Sequence, residues 1–202
     1  MSVLYSKPHA LDEAAAVARG ASAYAPGSPR RTSAISNYIG KAGQLAVMAE
    51  LALRGYNVAI PEIDIGDDIF VLNDRTKAAT RIQVKTATAG RHSAPPRFKC
   101  SYRVKIAQVK SQSMADHYSA FVGRCGATWA FPVIPTADLA CFLFENDPMW
   151  GTATTNGIWR GLDLHFFDSG EAKVSSADGA IDLTKYWRDA WAPWPSLLPA
   201  LS

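Results

Sequence analysis

The stretch DDIFVLNDRTKAATRIQVKTA, residues 67–87, constrains the fold more than any other part of the chain. Two apolar runs flank Asn73-Asp74 and the polar residues after it, which is the pattern of two strands, 67–73 and 79–87, joined as an antiparallel hairpin. Side chains alternate faces along a strand. Ile82 and Val84 must then reach a core, while Arg81, Gln83 and Lys85 share the opposite face. Three polar residues in line on so apolar a strand predict a cleft. The plainer alternative is a solvated edge, where lysine is a common guard.

The flanking segments predict mixed α/β (α+β) architecture with a central mixed sheet flanked by helices. Residues 36–54 read as a helix capped by Ser36 and ended by Gly55, with Leu45, Met48, Ala49 and Ala52 facing the core. Strands are expected at 56–61, 97–107, 117–124 and 127–135, a capped helix at 136–144, and a strand pair within 157–167. A short helix over 181–191 ends at Pro193 and Pro195. A further helix at 9–20 precedes a Pro-, Ser- and Gly-rich arm. The expected organisation is an N-terminal helix and flexible arm over 1–35, then a core with a C-terminal helical extension over 36–202.

Charge adds a functional constraint. Residues 75–110 hold ten of the 21 basic residues and none of the 18 acidic ones. A cationic segment on an otherwise acidic chain fits a polyanion such as DNA. Three widely spaced cysteines without a CxxC pair indicate neither a disulfide framework nor a zinc site, and suit a reducing, cytoplasmic setting. The opening MSVLYSKPHALDEAAA lacks a basic-then-apolar signal. No apolar run reaches the ~18 residues of a membrane helix, so no membrane partner is expected. A homodimer or higher homo-oligomer stays open.

An antiparallel hairpin brings Asp68 near Gln83. Their oxygens are hard ligands suited to Mg²⁺ or Mn²⁺. A lysine beside such a metal can orient water or stabilise charge on a phosphate. Asp64 and Asp67 compete with Asp68 for this role, Asp64 being the more ordinary turn acid. His92 and His117 read as loop or surface histidines. Tyr186, Trp187, Trp191 and Trp194 read as core cover or a dimer contact. GKAG at 40–43 lacks the spacing of a phosphate-binding loop.

The helix GKAGQLAVMAELALRGYNV, the following PEIDIGDDIFV and the strand IQVKT resemble the PD-(D/E)XK nuclease superfamily, over about residues 37–135. The later HYSAFVGRCGATWAFPVIPTADL also resembles the closing strands of bacterial members. The resemblance implies a restriction-endonuclease-like core and a DNA endonuclease. Asp68 and Gln83, in a QxK variant, would hold Mg²⁺ or Mn²⁺ with help from the Val84 carbonyl, and Lys85 would activate or position water. Arg81, Arg91, Arg97, Lys99, Arg103 and Lys105 would grip DNA. One position departs from the pattern. Gln44 stands where family members often carry a metal-facing glutamate, so the site has one negative charge fewer. The chain is then a nuclease with a thinner ligand set, a disabled one, or a non-catalytic nucleic-acid-binding module of the same fold. An interaction domain with an incidental cation cluster is a further alternative.

Overall fold

The computed structural model describes residues 29–63, 66–112, 116–145, 151–154, 157–176 and 179–198. The helix expected at 9–20 and the arm up to residue 28 lie outside the described residues, as does Asp64. The chain divides into two compact units between Asn37 and Tyr38, and both hydrophobic cores belong to the second.

Helix α1 spans Pro29–Leu53. Ser36 lies inside it, so the cap expected at Ser36 is not a helix start. Strands β1 (Asn57–Ala59), β2 (Ile69–Leu72) and β3 (Ala79–Thr88) follow as an antiparallel meander. The expected hairpin forms with Ile69 opposite Ile82 and Leu72 opposite Ala79. Next come β4 (Gly90–Ser93), β5 (Pro96–Lys105) and helix α2 (Ile106–Gln112). β6 (His117–Cys125) then runs parallel to β3. β7 (Thr128–Ala130), β8 (Val133–Pro135) and helix α3 (Thr136–Glu145) complete this part. The chain ends with β9 (Gly151–Thr154), β10 (Gly157–Phe167), β11 (Ala172–Ser176), β12 (Gly179–Asp182) and helix α4 (Thr184–Arg188).

Two sheets result. The first has strand order β1-β2-β3-β6-β7 with β8 on β6, and the second β12-β11-β10-β5-β4 with β9 on β10. This is the mixed α+β architecture expected, with a mixed sheet flanked by helices. One face of the first sheet offers Ile82, Ala120 and Val122 to Val47 and Leu51 of α1. The other offers Phe121 to Cys100, Tyr102, Leu162, Leu164 and Phe166 of the second sheet, with Val109 of α2 and Leu139 of α3. Each buried Val, Leu, Ile or Phe among them contributes about 1.5–3 kcal/mol. Trp194 is buried in the first core and Trp187 packs on Phe166, so the C-terminal aromatics include core cover.

Several expectations need correction. The buried stripe of α1 is Gly43, Val47 and Leu51, whereas Leu45 is 50% exposed and Ala49 and Ala52 are exposed. Gly43 sets this rotation: a Cβ there would overlap the Thr86 side chain on β3. Residues 157–167 form one strand, β10, and not a pair. The C-terminal helix starts only at Thr184, because residues 179–182 pair with β11. No strand was expected at β4, β9, β11 or β12, and no helix at α2. His117, read as a loop or surface residue, is 1% exposed within β6; His92 is exposed, but on strand β4. Among the described residues, no helix is long and apolar enough to cross a membrane.

Candidate functional site

The site forms where β2 stops and β3 continues. Asp68 N–H donates to Ile82 O at 2.9 Å, just before the first residue of β2. Backbone groups of alternate residues point the same way, so the N–H and C=O of Val84 also face this side, where β2 no longer pairs. The Asp68 carboxylate occupies that gap. Its Oδ2 accepts from Val84 N at 2.6 Å and from the Gln83 side-chain amide. Gln83 is buried and Asp68 half-buried. Lys85 is half-buried, two residues along β3 on the Gln83 face.

Gly66 makes this approach possible. Its φ is +97°, and a Cβ there would meet the Gln108 amide. Gln108 and Gln112 of α2 both donate to Gly66 O, at 3.0 and 2.9 Å. Gln108 also donates to Gln83 Oε1. The sequence signal for these glutamines was their i, i+4 spacing, which puts both on one helix face.

Gln44 reaches the site from α1, donating from Nε2 to the Asp68 main-chain oxygen at 2.5 Å, while its Oε1 accepts from Lys41 Nζ at 2.8 Å. Lysine is a donor only, so the amide orientation follows: oxygen toward Lys41, NH₂ toward Asp68. A glutamate at this position could not donate to the Asp68 main-chain oxygen. Glu50 lies away from this end, 4.0 Å from Arg54.

The two adjacent aspartates have separate roles. Asp67 is 4% exposed and turns inward. Its carboxylate meets His117 Nε2 at 3.0 Å, Gln112 Nε2 at 3.1 Å and Arg81 Nη1 at 3.4 Å. His117 Nδ1 lies 2.7 Å from Thr136 Oγ1, which lies 2.9 Å from Ser119 Oγ. Burial pushes the His117 pKa down, outweighing the neighbouring Asp67 carboxylate. Neutral His117 donates from Nε2 to Asp67 and accepts the Thr136 hydroxyl at Nδ1. The sequence did carry a signal for it: His117 shares strand parity with Ser119 and Phe121, on the inward face of β6.

This sets a pH dependence. A histidine whose folded pKa lies below the unfolded value of about 6.5 favours folding fully above that value, and the contribution is lost as pH falls through it. His165 is shifted the same way, by burial first and then by Arg97 and Lys99. The melting temperature is expected to fall between about pH 7.5 and 5.5, and His117→Gln to make the decline shallower. A melting temperature flat across this window would contradict the assignment.

The six basic candidates separate. Arg97, Lys99, Arg103 and Lys105 alternate along β5 on one face of the second sheet. Arg91 has the opposite parity and forms a two-pronged ion pair with Asp168 at 2.7 and 2.6 Å. Arg81 is engaged by Asp67 in the first sheet.

No known protein-family model matches the chain, and no curated protein matches it at a significant level. Among the described residues no group of three or more His, Cys, Asp or Glu side chains could hold a metal. The groups that meet there are the Asp68 carboxylate, the Gln83 side-chain NH₂ and the Val84 N–H, while Gln83 Oε1 accepts from Gln108; the oxygens available for a cation are one carboxylate, the Gln83 amide oxygen and the Val84 carbonyl. Mg²⁺ commonly takes one or two carboxylates and keeps several waters, so this set fits a weakly held hard dication. One adjustment is needed: the Gln83 amide now turns its NH₂ to Asp68, and ligation through its oxygen requires the amide to turn over.

Proposed function

We propose that this protein is a metal-dependent endonuclease that hydrolyses phosphodiester bonds in DNA, with the PD-(D/E)XK arrangement of residues. The observation that carries this reading is the convergence of Asp68, Gln83 and the Val84 backbone in the gap beside β2, with Lys85 next on the same face of β3. The order of elements also supports it: a helix, an antiparallel meander, and a strand parallel to the third.

Asp68, Gln83 and the Val84 carbonyl would hold Mg²⁺ or Mn²⁺. A dication there lowers the pKa of coordinated water and polarises the phosphoryl oxygen. Lys85 supplies a positive charge to orient the attacking water or to offset charge on the phosphate. Gln44 fixes the main chain of Asp68 without adding charge. Free Cys100, Cys125 and Cys141 are compatible with a reducing, cytoplasmic setting.

Gln44 also favours a second reading, a nucleic-acid-binding module of this fold without turnover, because a thinner ligand set holds the cation less tightly. Metal binding tests the first. Calorimetry is expected to detect Mn²⁺ binding that Asp68→Ala abolishes and Gln83→Ala weakens. Unchanged affinity in Asp68→Ala would remove the metal from this site, and the hydrolase reading with it.

A further inference from the structure

The second sheet has an outward face that the catalytic reading does not use. Its centre is the antiparallel pair β5 and β10, whose register sets Arg97 opposite Phe167, Lys99 opposite His165, Ser101 opposite Asp163, and Lys105 opposite Trp159. The alternate residues Cys100, Tyr102, Val104, Leu162, Leu164 and Phe166 are all buried in the core. The outward set is therefore four cations along β5, interrupted by Ser101, beside Phe167, His165 and Trp159 along β10, with Asp163 and Gly161 between the rings. Ser101 and Arg103 are exposed, while Trp159, His165 and Phe167 are each half-buried.

The rings are held in position. Arg97 lies 5.9 Å from the Phe167 ring centre and Lys173 of β11 lies 5.5 Å from it. His165 Nδ1 accepts from Arg97 Nε at 3.0 Å, which leaves its Nε2–H to donate to Ser175 Oγ at 3.0 Å. Burial and the cations around it keep this imidazole neutral, hence an apolar plate. Its ring lies 6.3 Å from that of Phe167 at 33°. Lys99 is offset by Asp163 at 2.7 Å and Lys173 by Glu171 at 3.3 Å. Arg97, Arg103 and Lys105 carry the remaining positive charge along β5.

A duplex offers phosphates but hides its base faces. A single strand offers both, and aromatic side chains beside a cationic row are how sequence-tolerant single-strand binders hold it. We propose that this face binds single-stranded DNA, stacking unpaired bases on Phe167 and His165 and placing phosphates on Arg97, Arg103 and Lys105. The row ends at an open groove of ≈ 410 Å³ lined by Lys105, Ala107, Gln108 and Ser111. Gln108 hydrogen-bonds Gln83, so the track leads to the candidate metal site. Binding here does not require turnover; only the inference that the track feeds the site rests on the endonuclease reading.

The test is fluorescence anisotropy in EDTA with a labelled oligothymidylate of about 16 nucleotides, beside a hairpin duplex. The single strand is expected to bind more tightly than the duplex. Phe167→Leu, which keeps an apolar side chain, should weaken single-strand binding about tenfold and duplex binding less than about twofold. The pair Arg103→Ser with Lys105→Ser should weaken both ligands and flatten the salt dependence. Because the assay is run in EDTA, binding on this surface is read separately from any metal-dependent cleavage. Duplex binding as tight as single-strand binding overturns the proposal. So does unchanged single-strand binding by a folded Phe167→Leu protein.

Discussion

Changing Gln44 to glutamate is expected to speed nicking of supercoiled DNA in Mn²⁺ by on the order of tenfold or more, because charge stabilisation at a reacting phosphate is worth several kcal/mol. The Gln44 NH₂ now sits 2.5 Å from the Asp68 main-chain oxygen as its donor. A carboxylate there would set oxygen against oxygen, a contact that a cation relieves. The variant should therefore melt lower than the unaltered chain in EDTA and gain more from Mn²⁺. Lys85→Ala in that background should remove the gain in rate but leave the gain in melting temperature. A Gln44→Glu protein that neither cuts faster nor responds more to Mn²⁺ puts Gln44 away from the metal.

The second large effect separates neighbouring residues. Asp67→Ala should destabilise the fold by about 3 kcal/mol, roughly 10 °C in melting temperature, because it strips acceptors from buried donors. His117 Nε2 and Gln112 Nε2 both lose their bond to that carboxylate. Asp67→Asn keeps one acceptor oxygen and should cost less. Asp68→Ala should cost less, about 1 kcal/mol, since Asp68 and the Val84 N–H lie at a half-buried edge that water can reach and only the Gln83 amide it releases is buried. Thermal melts of the three variants check this ordering. Equal losses for Asp67→Ala and Asp68→Ala would mean the two aspartates are not divided between fold and site.

The hairpin and its polar face were legible because their signals are local: alternation, a polar turn, and a spacing that brings Asp68 to Gln83. The phase of α1 was not. Its sequence is apolar on more than one side, and the choice of Val47 and Leu51 over Leu45 is made by Gly43 meeting Thr86, a contact far away in sequence. Helix α2 was hidden for a related reason. Ile106 continues the alternation of β5, which drew the expected strand on to residue 107, and what ends the strand is the crossover needed for β6 to lie parallel to β3. The division between Asp67 and Asp68 depended on that crossover too, since Gln112 and His117 lie beyond it. Segments such as AKVSS and GAID are too short and polar to signal strands alone; AKVSS pairs because β10 offers an edge, and GAID pairs on AKVSS in turn.

The most direct test of the central claim is plasmid nicking by the Gln44→Glu protein in Mn²⁺, with and without the added change Asp68→Asn, which keeps the side chain's shape and removes its charge. The account predicts nicking that EDTA stops and that Asp68→Asn reduces by on the order of a hundredfold, while DNA binding persists. Equal nicking by both proteins would contradict a catalytic role for Asp68. No nicking by either, with DNA binding intact, would contradict the endonuclease and leave a nucleic-acid-binding module in its place.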